Sequence, residues 1–207
     1  MIVVHHLENS RSQRILWLLE ELGLAYEVRR YARDPKTMLA PPELTRIHPL
    51  GKSPLVEIDG QVLAETGAIV EYLVMREGGR LGPATDPAVG QRWRHYIHYA
   101  EGSMMPPLLA LLVVGRLGLL GRPARKPLLA MFAVHLRWLD AELATRDWFA
   151  GDTFSAADVM MSFPLEAGRS RGGLDDRYPR LQAWLARIHA RTGYRAALQK
   201  GGPYAFA

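Results

Sequence analysis

The 207-residue sequence contains no cysteine. That absence excludes a disulfide framework, a zinc–thiolate centre and any mechanism in which a protein thiol is the nucleophile or redox centre. Sulfur chemistry on this chain must be carried by a ligand. Runs of one charge are also missing. Lys and Arg total 26 against 21 Asp and Glu, a net charge of +5, but the basic residues are almost all arginine and scattered. The concentrated basic stripe of a nucleic-acid binder is absent. The longest apolar run, Met104–Val114, is too short to span a bilayer and contains Pro106 and Pro107. The start, MIVVHHLENSR, has neither the basic n-region nor the apolar core of roughly 7–15 residues that marks a secretory signal. A soluble cytoplasmic protein with no membrane or nucleic-acid partner is expected. Apolar side chains are plentiful at 48%, enough for one large core or two small ones.

The first 78 residues alternate between strand and helix signals. Ile2–Val4 is β-branched and apolar, and Ile15, Leu16, Leu18, Leu19 and Leu22 then recur at helical spacing until Gly23. With Tyr26–Tyr31 as a second strand this is a βαβ unit, whose strands pair in parallel through a right-handed crossover. A short helix near Glu43–Ile47 follows. In PLVEIDGQVL, residues 54–63, apolar residues flank Asp59-Gly60, the dipeptide suited to a type I′ hairpin turn. Glu65, Thr66 and Gly67 open a further helix that Gly78 and Gly79 end. Beyond a Gly/Pro-rich linker at 79–85 only helix signals remain, at 88–104, 107–115, 127–145, 156–167, 179–191 and 194–199.

Four segments carry a resemblance: HHLENSRSQRILWLLEELG at 5–23, HPLGKSPLVEIDG at 48–60, LAETGAIVEYL at 63–73 and FAGDTFSAADV at 149–159. In this order, with a βαβ–ββα region ahead of an all-helical one, the chain resembles the cytosolic glutathione transferase family over nearly its whole length. The SRSQR form ahead of a Trp-bearing helix is most similar to the serine-type bacterial and fungal branch. The resemblance implies an N-terminal thioredoxin-like domain (βαβαββα) at 1–78 and a helical bundle domain at 86–207. It also implies glutathione as a consumed substrate with no cofactor, a hydrophobic electrophile as second substrate, and a homodimer. The same site could run peroxide reduction, isomerisation or lyase chemistry. A non-catalytic binding or assembly module on this fold is the rival outside the enzyme class.

Ser10 lies between the first strand and the first helix, where unpaired backbone N–H groups and the helix dipole favour an anion such as a thiolate. A hydroxyl donating to the ionised sulfur lowers its pKa, at about 1.4 kcal/mol per unit. Serine is also a preferred helix N-cap, and Ser12 competes with Ser10 for the sulfur. Arg11 and Arg14 place cations in a first helical turn, against the dipole, which suits either an anionic ligand or salt bridges to Glu8 or Glu65. The resemblance makes Ser10 the catalytic hydroxyl, four residues before Arg14. It makes Pro54 a cis proline that exposes the backbone of Ser53 to the cysteinyl part of glutathione, and places Lys52 on the glycyl carboxylate. Glu65 is set on the α-amino group, and the Thr66 N–H and hydroxyl on the γ-glutamyl carboxylate. Each of these also has an ordinary reading as a strand start, a solvated lysine or a helix cap.

Ser155 and Asp158 have the spacing of a capping box and read as structural. His95, His98 and Glu101 fall near one helix face, but three ligands on one helix rarely converge on a metal, and none is expected. Tyr96, Tyr99 and Met104 are candidates for the acceptor site, with core packing as the alternative. His5 and His6, adjacent on a strand, face opposite sides and cannot share a ligand.

Overall fold

The computed structural model describes residues 1–206. The chain divides into two compact units, Met1–Gly82 together with His189–Ala205, and Pro83–Ile188 together with Phe206.

In the first unit β1 (Ile2–Leu7) is followed by α1 (Ser12–Leu22), β2 (Tyr26–Tyr31) and a 3-10 turn at Pro42–Arg46. The hairpin β3 (Leu55–Ile58) and β4 (Gln61–Ala64) and the helix α2 (Thr66–Arg76) complete the order. The sheet runs β2-β1-β3-β4, with β1 parallel to β2 and antiparallel to β3. All six residues of β1 are buried, as befits a central strand covered on both faces. The strand is longer than Ile2–Val4 because His5 and His6 continue the ladder, opposite Arg29 and Arg30. Their polarity hides it from a pattern reading.

Gly23, at φ +66, ends α1 in a Schellman motif: its N–H reaches Glu20 O and the Leu24 N–H reaches Leu19 O. Asp59 and Gly60, at φ +51 and +77, form the expected I′-type turn.

The second unit contains α3 (Pro87–Tyr99), α4 (Met105–Arg116), α5 (Arg122–Glu142), α6 (Ala156–Ala167) and most of α7 (Pro179–His189). A π-helical turn at Ala100–Met104 joins α3 to α4 without a break. Pro106 and Pro107 stand in the first turn of α4, directly after that π-turn. By length and composition alone Pro87–Arg116 could cross a membrane; here Trp93, Ile97, Met104, Leu108 and Leu111 are buried in the core. Helix α3 packs on α6 and α4 on α5. Asp140 of α5 accepts the N–H groups of Arg180 and Leu181 at 2.9 and 3.1 Å, capping α7.

The sequence reading places residues 86–207 in one helical domain, of which Ala207 lies outside the described residues. By packing, however, α8 (Thr192–Gly201) belongs with the first unit, against α1. The reason lies in the outer face of α1. Trp17 meets Tyr194 edge-on at 5.2 Å, Glu21 takes the Arg191 guanidinium in two 2.7 Å bonds, and Glu20 takes Lys200 at 2.5 Å.

Candidate active site

The sheet register gathers the candidate residues. His5 pairs with Leu55 and Leu55 with Ala64, so one row crosses β1, β3 and β4. Because β3 runs against both neighbours, the end of β1, the start of β3 and the end of β4 share one sheet edge. Ser10 follows β1, Ser53 and Pro54 precede β3, and Glu65 and Thr66 follow β4. Residues more than forty positions apart thus meet at the N-termini of α1 and α2.

Ser10 is 6% exposed. Its Oγ accepts the Ser12 N–H at 3.2 Å, satisfying one donor of the helix start, and lies 2.7 Å from Ser12 Oγ. The capping bond thus falls on the oxygen that the sequence also offers to a ligand. Ser12 is fully buried, with its Oγ 2.8 Å from His6 Nδ1 and 3.3 Å from the Leu7 carbonyl. Burial first, and then Arg30, lower the His6 pKa from 6.5 to about 4, although a hydrogen bond to the Gly201 backbone works the other way. The ring is neutral at pH 7. Arg14 is 1% exposed, so one cation of the first helical turn is inside the fold.

The Ser53–Pro54 peptide bond is cis. Where a β1–β3 ladder would continue, the Ser53 hydroxyl stands in for backbone: it donates to His5 O at 3.0 Å and accepts the Leu7 N–H at 3.3 Å. Lys52 is exposed and forms no salt bridge among the described residues. Glu65 is exposed at φ +69, a conformation costly for a residue with a Cβ, and no side chain caps α2. Thr66 is 3% exposed. An uncapped helix start behind a strained acidic residue is the kind of local rule-breaking found at binding sites.

Two models of one family match the chain: the glutathione S-transferase N-terminal domain over residues 1–75 and its C-terminal domain over 122–187. The chain belongs to the glutathione S-transferase family. Relatives similar along nearly all of it include glutathione S-transferase 3 of Schizosaccharomyces pombe, 34% identical over 97% of this chain and 88% of its own. Glutathione S-transferase 1 of Saccharomyces cerevisiae is 32% identical over 97% and 95%. Among solved structures, a glutathione S-transferase from Actinobacillus pleuropneumoniae superposes with a TM-score of 0.89 at 32% identity, covering 100% of this chain and 95% of that one. A sphingomonad glutathione S-transferase complexed with glutathione does so at 0.81 and 25%, covering 97% and 98%.

The remaining candidates lie in the helical unit of this transferase. Tyr96 is 1% exposed, donates to Glu142 at 3.3 Å and stacks on Trp138. With Gln91, Arg92, His95, Trp138 and Glu142 it lines a cavity of about 260 Å³. Tyr99 is half-buried and bonds His135 at 2.5 Å, while Met104 is wholly buried. His95 stacks on Tyr99 and meets Trp138 edge-on. Ser155 and Asp158 form the expected capping box. His5 and His6 do face opposite sides. His5 bonds Tyr31 at 2.8 Å and Glu57 at 2.7 Å, whereas His6 turns to Ser12. The His6–Ser12 pair is what the sequence reading missed. Its only trace there is a polar pair bracketing the strand–helix turn.

Proposed function

We propose that this chain conjugates the thiolate of glutathione to hydrophobic electrophiles, with Ser10 as the sulfur-contacting hydroxyl of a serine-type site. Ser10 lies at the start of α1, where the helix dipole and a donated hydrogen bond both favour the ionised sulfur. Lys52 neutralises the glycyl carboxylate, and the backbone of Ser53 beside Pro54 pairs with the cysteinyl unit. Thr66 offers its N–H and hydroxyl to the γ-glutamyl carboxylate at the start of α2, and Glu65 pairs with the α-amino group. Each polar end of the tripeptide then has a partner of opposite character. The observation that carries this reading is the single sheet edge on which all these residues meet.

The reaction consists of ionising the thiol and holding it against the acceptor, so that a bimolecular attack becomes effectively intramolecular. Glutathione is a substrate, and no resident cofactor enters the scheme. Tyr99, half-buried, and Tyr96, which lines the cavity, are assigned to the acceptor side, whereas wholly buried Met104 is core packing. The protein is expected to be a cytoplasmic homodimer. The test is conjugation of a panel of apolar electrophiles by wild type and Ser10→Ala, with glutathione affinity measured calorimetrically. The reading requires retained affinity and a turnover loss of about 10-fold or more; unchanged turnover in Ser10→Ala would exclude it.

A further inference from the structure

Behind Ser10 runs a buried chain of hydrogen-bonding groups that the reaction as described does not use. Ser10 Oγ is 2.7 Å from Ser12 Oγ, and Ser12 Oγ is 2.8 Å from His6 Nδ1. Gly201 lies on the far side of the ring, where a Cβ on it would stand 3.3 Å from His6 Nε2, and its backbone favours the charged ring, as an acceptor facing Nε2–H would. With the proton on Nε2, Nδ1 of the neutral ring is an acceptor. Ser12 must donate its one proton, and Nδ1 at 2.8 Å outcompetes the Leu7 carbonyl at 3.3 Å. With that proton committed, the 2.7 Å contact is a hydrogen bond only if Ser10 donates to Ser12. The resting direction is therefore Ser10 to Ser12 to His6. In that state the Ser10 proton points into the protein and its oxygen can only accept from a ligand.

A thiolate reverses the demand, since Ser10 must then donate to sulfur. If Ser12 kept its proton on His6, two oxygens 2.7 Å apart would face each other with no hydrogen between them. If Ser12 turned to Ser10 with the ring neutral, Nδ1 would be left bare and buried. Only a proton on Nδ1 satisfies every group.

We propose that His6 and Ser12 are positioning residues that couple ionisation of glutathione to protonation of His6 through a two-serine relay. The step balances: the S–H proton passes to Ser10 Oγ, the Ser10 proton to Ser12 Oγ and the Ser12 proton to His6 Nδ1. Thiol plus imidazole becomes thiolate plus imidazolium, with no bond formed or broken except to hydrogen. The surroundings of His6 set the balance. Arg30 on β2, in register with His6, opposes the second charge. Helix α1 contributes the neutral Ser12 and Gln13, α8 the Gly201 backbone, and β3 the apolar Leu55 beside the ring's strand. Lys200 of α8 is held by Glu20. The negative sulfur supplies the attraction that burial and Arg30 withhold, so His6 is a proton acceptor only when the thiolate forms.

This proposal rests on the Ser10 reading, and its test separates the two. His6 ring resonances are followed against pH by NMR in wild-type protein, free, with glutathione, and with S-methylglutathione, which fills the same site but has no thiol proton. Glutathione is expected to keep His6 protonated through the pH at which the bound thiol ionises, a rise of well over about one unit in its titration. S-Methylglutathione should leave it where it is in the free protein, and Ser12→Ala should abolish the glutathione effect while still binding the tripeptide. Equal His6 titration with the two ligands in wild type overturns the relay, whether or not Ser12→Ala folds. In that event a raised thiol pKa in Ser10→Ala leaves Ser10 on the sulfur with no relay behind it, and an unchanged thiol pKa removes both.

Discussion

Asp158→Ala should cripple the helical unit and spare glutathione binding. The carboxylate is wholly buried and every partner is a donor. Oδ1 accepts the Phe149 N–H at 3.0 Å and the Trp184 indole N–H at 3.3 Å, while Oδ2 accepts the Ser155 N–H at 3.0 Å and its hydroxyl at 3.3 Å. Alanine leaves three N–H groups buried without an acceptor, at about 1–3 kcal/mol each. Against this, burial raises the carboxyl from 3.8 to about 6 despite those four bonds. Removing the charge at neutral pH therefore relieves about 3 kcal/mol. The net loss is about 3 kcal/mol, or roughly 6–12 °C in Tm for a chain of this size. The sign of the pH dependence adds a second signature. A carboxyl whose pKa is higher folded than unfolded binds more protons in the native state between pH 4 and 6, so its contribution to stability rises as pH falls. The gap between wild type and variant should widen from pH 7 to pH 4. Circular dichroism melts across that range, with glutathione titrated below both melting points, check both points. A variant that melts with wild type, or that keeps its Tm and loses glutathione, would refute the reasoning.

Three further outcomes follow from particular contacts. His6, lowered to about 4 in the fold, contributes about 3 kcal/mol that is fully present above pH 6.5 and lost as pH falls through 4; the denaturant midpoint of wild type should therefore fall relative to that of His6→Gln as pH drops through that window, and parallel curves would contradict it. A Cβ at Gly201 would meet Gln13 Oε1 at 2.8 Å, Leu16 Cδ1 at 3.0 Å and His6 Nε2 at 3.3 Å, so Gly201→Ala should cost about 1–3 kcal/mol by overpacking, read from the same midpoints. Lys52→Ala, at an exposed position, should leave Tm unchanged and raise the KM for glutathione about 3–10-fold with little change in kcat, as loss of a ground-state contact predicts.

Much of the fold was legible because its signals are local. Periodic leucines, Gly23 and Asp59-Gly60 each specify geometry within a few residues, and the Ser155–Asp158 box is complete in four. The candidate site residues could be named from the motifs, but their gathering at one end of the sheet depends on β3 running against both neighbours. That register is a property of the sheet and not of any one segment. What escaped the reading were long-range pairings. Helix α8 has an ordinary amphipathic pattern, and only the complementary Trp17, Glu20 and Glu21 on α1 assign it to the first unit. His5 and His6 look like a polar interruption of β1 until Tyr31, Glu57 and Ser12 arrive from three other elements to satisfy them. Polar residues in a buried strand must be hydrogen-bonded, but sequence does not say by whom.

The central claim is that Ser10 holds glutathione as its thiolate. The most direct measurement is the ultraviolet absorbance of the bound thiolate as a function of pH, in wild type and Ser10→Ala side by side. The account predicts that bound glutathione ionises well below its free pKa in wild type and that Ser10→Ala raises that value while still binding. An unshifted thiol in wild type, or the same lowered pKa in both proteins, would contradict it.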